Sequence, residues 1–103
     1  MENNEENLFV YGTLMDSKVQ KSVFGRITKG IPDILERYRK SEIEIGKKKY
    51  PAIVLDKDNF VEGLVISIIP IELKLIDKYE TDAYKREQVV LKSGKTAWVY
   101  VKT

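Results

Sequence analysis

Only one stretch of the chain, Ile71 to Glu80, carries a clear helical period, and most other apolar residues fall in short runs bounded by turn residues. Pro70 stands just before that helix, at the first-turn position where a missing N–H costs nothing. Leu8-Phe9-Val10-Tyr11 is an apolar run stopped by Gly12, which predicts a buried first strand entering a turn. Asp16 or Ser17 caps a short helix through Phe24, ended by Gly25. From Arg26 to Tyr50 the pattern is weak, apart from Ile43 and Ile45 alternating with Glu42 and Glu44 in a half-exposed strand. Ala52 to Leu55 reads as a strand ending in a turn over Asp56 to Asn59, and Val61 to Ile69 as another, with Leu64, Ile66 and Ile68 on one face. Glu87 to Leu91 and Thr96 to Val101 are strands joined through Ser93-Gly94, a hairpin signal. With so few helical crossovers, the pattern predicts an α+β chain: a small, mixed, mostly antiparallel sheet or β-barrel with flanking helices.

A chain of 103 residues has room for one domain and one core. That domain is expected over residues 8–103. Met1 to Asn7, acidic and polar, is expected to be a flexible N-terminal tail rather than a signal peptide. The longest apolar run, Leu64 to Ile71, is broken by Ser67 and Pro70 and falls far short of the roughly 20 residues that span a bilayer. The reading is a soluble, cytoplasmic protein that does not enter a membrane. There are no cysteines and no histidines, which removes disulfides, thiol nucleophiles, thiolate zinc sites and every histidine-based triad. Any proton transfer must fall to a carboxylate, Tyr, Lys, Ser or Thr. Eighteen basic against 16 acidic residues leave a charge of +2, too little to argue for nucleic acid.

At about 100° per residue, Ile69, Leu73, Ile76 and Glu80 share one narrow stripe of the helix, while Asp77 and Lys78 face elsewhere. Glu80 therefore prolongs the apolar face and sits at the helix C-terminus, where burial and the dipole both favour its protonated form. The plainer alternative is a frayed helix end with Glu80 in water. The glycine after the first strand permits a turn whose backbone N–H groups converge on an anion, or it simply ends the strand. Trp98 and Tyr100 share a strand face that suits core packing or ligand stacking. Asp56-x-Asp58 reads as a turn rather than a cation site, and Lys47-Lys48-Lys49 as a solvated loop.

Val10-Tyr11-Gly12-Thr13-Leu14, followed by Asp77-Lys78-Tyr79-Glu80 and Tyr84-Lys85-Arg86, resembles the gamma-glutamylcyclotransferase-like family, which includes gamma-glutamylamine cyclotransferases and plant avirulence-induced-gene proteins. Tyr50-Pro51-Ala52, Gly63 and Ala97-Trp98-Val99-Tyr100 also fall where that family has similar residues. The resemblance implies a small barrel with a cavity at one end. It also implies a reaction in which the α-amine of a γ-glutamyl compound attacks its own γ-carbonyl, releasing 5-oxoproline and an amine or amino acid. By the same resemblance Tyr11, Gly12, Thr13 and Leu14 form the substrate-holding loop, Glu80 is the catalytic acid/base, and no metal or cofactor is required. Tyr84 and Arg86 match a Tyr-x-Arg element. Arg86 is a candidate partner for a substrate carboxylate or for Glu80, beside the reading of a structural ion pair. Tyr50 lines the cavity or packs before Pro51. The family often has a basic residue where this chain has Met15, and an aromatic one within Leu64-Val65-Ile66, so the group attached to the γ-glutamyl is open. A non-catalytic module binding a small ligand in the same barrel is the alternative, and the oligomeric state is not legible.

Overall fold

The computed structural model describes residues 4–103. Five strands form one sheet in the order β2-β3-β1-β5-β4. They are β1 (Glu6–Val10), β2 (Ile31–Ile45), β3 (Lys48–Ile68), β4 (Tyr84–Val90) and β5 (Thr96–Lys102). Every neighbouring pair is antiparallel except β1 with β5. The helices are α1 (Ser17–Phe24) and α2 (Pro70–Glu80), and none is long and apolar enough to cross a membrane. The α+β class and barrel-like sheet read from the sequence are therefore present. The sheet curls until β2, at one edge, meets the β4–β5 turn at the other. There the Lys92 N–H donates to the Ile34 carbonyl at 2.9 Å, and the Ser93 hydroxyl and N–H donate to the Asp33 carboxylate.

β1 is central, and Leu8, Phe9 and Val10 are each buried, as a strand covered on both faces must be. Phe9 packs inside the curl with Leu35, Ile53, Val61 and Val99. Leu8 and Val10 face the other way, with Ile66, Ile68 and the helix residues Phe24, Leu73 and Ile76. Gly63 sits in this crossing because a Cβ there would lie 2.4 Å from the Val10 carbonyl oxygen and 2.7 Å from the Phe9 ring. Gly63→Ala is therefore expected to destabilise by about 2 kcal/mol, read as a lower urea midpoint, since overfilling a close-packed core displaces backbone.

α1 starts where Asp16 accepts from the Lys18 N–H at 2.7 Å and stops at Gly25, whose φ of 82° is the left-handed cap. α2 starts at Pro70, and Glu72 accepts from the Ile69 N–H while paired with Arg26 at 2.6 Å.

Three sequence expectations change. Glu6 and Asn7, expected in the tail, pair with Ile68 and Ser67 as part of β1; the same expectation for residues 1–3 lies outside the described residues. The weakly patterned stretch after Gly25 holds a 15-residue strand, β2. The turn over Asp56 to Asn59 does not end its strand. Asp56 does accept from the Asp58 N–H and the Asn59 amide, but these residues form a bulge opposite Arg37, and β3 continues past it to Ile68.

Candidate active site

A cavity of about 300 Å³ opens where the end of β1, the end of α2 and the β2–β3 arm meet. Its walls are mainly apolar and aromatic, the ordinary character of a small-ligand site. Tyr11, Gly12, Thr13, Leu14, Tyr50, Glu80 and Tyr84 all line it, so seven of the eight sequence-derived site residues come together. Arg86 does not. It pairs with Asp77 through Nε at 3.0 Å and Nη2 at 3.1 Å, and its guanidinium lies 4.3 Å from the centre of the Trp98 ring. Arg86 is thus placed in an ion pair outside this cavity, the alternative reading of the sequence, because α2 presents Asp77 to it directly from the neighbouring layer.

The loop after β1 is held at three points. The Gly12 carbonyl accepts from the Met15 N–H at 3.0 Å, closing a 3-10 turn over Thr13–Met15. The Thr13 hydroxyl is 2.9 Å from the Tyr79 hydroxyl on α2. The Leu14 carbonyl accepts from the Gln20 amide at 2.8 Å, while the Gln20 oxygen accepts from the Thr28 N–H. Gln20 is only 2% exposed, and sequence reasoning missed it. Its signal was a polar residue one turn before Phe24, on the buried stripe of α1. The N–H groups opening such a turn have no partner within it and are free to face an anion.

Glu80 is the last residue of α2, and the chain turns away at Thr81 with φ 62° and ψ −170°, a region costly for a β-branched residue. Burial pushes the Glu80 carboxyl up to about 7. Its carboxylate has no hydrogen-bond or ion-pair partner among the described residues. Burial also raises the hydroxyls of Tyr11, Tyr84 and Tyr100, and the Glu80 charge adds to each; Tyr84 reaches about 12. Tyr100 lines the cavity as well, so of the two residues read as a shared strand face it belongs to the site wall, while Trp98 packs beside the core and under Arg86.

A cavity that joins the turn after β1 to one half-buried, unpaired carboxylate is suited to moving a proton beside a developing negative charge. The chain is 33% identical over 84 residues to AIG2-like protein D of Arabidopsis thaliana, covering 81% of this chain and 54% of that one, so it spans about half the length of the curated relatives it matches. A solution structure of another Arabidopsis thaliana protein superposes with a TM-score of 0.79 at 25% identity, over 99% of this chain and 66% of that one. A solved structure named gamma-glutamyl cyclotransferase superposes with a TM-score of 0.77 at 17% identity, over 96% of this chain and 67% of that one, and shares the fold. The family described as gamma-glutamyl cyclotransferase, AIG2-like, matches residues 8–103, and the chain belongs to it.

Proposed function

We propose that the protein cyclises a γ-glutamyl compound, releasing 5-oxoproline and an amine or amino acid. The observation that carries this reading is the unpaired Glu80 carboxyl, held near neutrality in the cavity that the Gly12–Leu14 turn also lines. The nucleophile lies within the substrate, so a chain with no cysteine or histidine is not at a disadvantage. Ionised Glu80 takes a proton from the substrate's α-ammonium. The freed amine attacks the γ-carbonyl, forming the ring C–N bond, and the carbonyl oxygen gathers charge that the N–H groups of the turn offset. The γ-amide C–N bond then breaks as Glu80 returns its proton to the leaving nitrogen, and the surplus proton on the ring nitrogen follows by the same carboxylate, so that the amine departs as an ammonium and the ring is left as the neutral lactam. One carboxylate with a proton affinity near the working pH serves both transfers. Tyr50 and Tyr84, on the wall, hold the substrate's shape, and no step calls for a metal or cofactor.

The test is a screen of γ-glutamyl dipeptides and γ-glutamyl amines, read as 5-oxoproline release. Turnover of at least one member is the expected result. Compounds that bind and are never cyclised would instead establish a binding module on the same fold.

A further inference from the structure

The cavity is ringed by tyrosines whose hydroxyls are all but one engaged away from Glu80. Tyr11, on β1, donates to the Tyr100 carbonyl at 2.6 Å. Tyr84, on β4, donates to the Pro51 carbonyl at 2.6 Å. Tyr79, beside Glu80 on α2, is engaged with Thr13, and Tyr100, on β5, donates to the Asp77 carboxylate at 2.5 Å. Only the Tyr50 hydroxyl, from β3, has no hydrogen-bond partner among the described residues. Among the described residues, the charged side chains around this group are Asp77, one turn before Glu80 and paired with Arg86, with Lys78 and Asp82 beside them, and Lys40, Glu42 and Lys49 beyond Tyr11 and Pro51.

A hydroxyl that donated to Glu80 would stabilise its ionised form and drain its proton affinity. The arrangement avoids this, and Tyr100 is where it depends on a side chain rather than on backbone carbonyls or a loop hydroxyl. We propose that Asp77, fixed by Arg86, is a positioning residue that draws the Tyr100 hydroxyl out of the cavity and keeps Glu80 without a donor. Tyr100 and Glu80 line the same cavity, so Glu80 is the acceptor there to which a released Tyr100 hydroxyl turns. This inference rests on Glu80 being the proton-moving group, but its test needs no turnover.

The experiment follows the Glu80 carboxyl carbon by NMR through a pH titration in wild type, Asp77→Leu, Tyr100→Phe and the double variant. Tyr100→Phe is expected to leave the Glu80 midpoint where it stands in wild type, because the hydroxyl is already committed. Asp77→Leu is expected to lower the midpoint by about one pH unit, a tenfold loss of proton affinity, and the double variant to recover most of it. A midpoint that rises in Tyr100→Phe overturns the proposal, as that hydroxyl would then already donate to Glu80. So does a midpoint lowered equally in Asp77→Leu and the double variant, which would make the lost charge the cause. An Asp77→Leu midpoint equal to wild type overturns it too. Should Asp77→Leu not fold, Tyr100→Phe alone decides. If no γ-glutamyl compound is cyclised, the function proposed above fails while these titrations still judge the role of Asp77.

Discussion

Glu80→Gln is expected to lower 5-oxoproline formation by about 10³- to 10⁴-fold while leaving ligand affinity within a few-fold. The substitution keeps size and shape and removes only the exchangeable proton. General acid/base catalysis is typically worth 10²–10⁴, and here one residue handles both the ammonium and the leaving nitrogen, which places the loss toward the upper end. Tyr84→Phe should cost less, because the hydroxyl it removes is spent on the Pro51 carbonyl and the ring that lines the cavity stays. Arg86 variants should also cost less, since Arg86 does not line the cavity and is held by Asp77. Steady-state rates and ligand titration on the same variants check all three.

The same Glu80→Gln variant should be more stable than wild type near neutral pH and above, by about 2–3 kcal/mol. Burial raises the folded-state carboxyl from 4.5 to about 7, so the folded protein holds its proton more tightly than the unfolded chain. Below about pH 4.5 both states are protonated and the wild type carries no penalty. Between about 4.5 and 7 the unfolded chain gains from ionising while the folded one resists, and the wild type loses ground. Above about 7 the gap is constant, near 3 kcal/mol at most and less for the part of the group that water still reaches. Urea unfolding of the pair at pH 4 and pH 8 checks this: equal midpoints at the lower pH, and a higher one for the variant at the upper. A variant less stable at pH 8 would mean that Glu80 makes a stabilising ion pair.

The elements with local chemistry were legible. Asp16 and Gly25 bound α1, Pro70 opens α2, and the Ser93-Gly94 signal falls in the β4–β5 turn, because caps and turns are decided by neighbours in sequence. Glu80 was legible in part for a related reason. Its stripe partners Leu73 and Ile76 are buried against the sheet and Glu80 lines the cavity; the helical period allowed this beside a frayed helix end, and the family resemblance decided between the two. The end of β2 over Glu42 to Ile45 was legible from its alternation, but the rest was not, because the bulge at Arg37, with φ 71°, shifts the register between Glu36 and Tyr38. The buried residues Leu35 and Tyr38 are then three apart, and the alternation that marks a strand is lost. Asp77 was read as off the apolar stripe and as part of the element that carries the family resemblance, with no partner assigned to it. Its partners, Arg86 and Tyr100, arrive from β4 and β5, and helical spacing carries no information about a neighbouring sheet. Gln20 escaped for the same reason, its partners being the Leu14 carbonyl and the Thr28 N–H of flanking loops.

The pH dependence of kcat/KM for 5-oxoproline release bears most directly on the central claim, that Glu80 in this cavity moves the protons of γ-glutamyl cyclisation. The account predicts a rate that rises with pH through an inflection near 7, matching the titration of the Glu80 carboxyl and absent from whatever activity Glu80→Gln retains. A rate flat between pH 5.5 and 8.5, or an inflection that persists in Glu80→Gln, would contradict it.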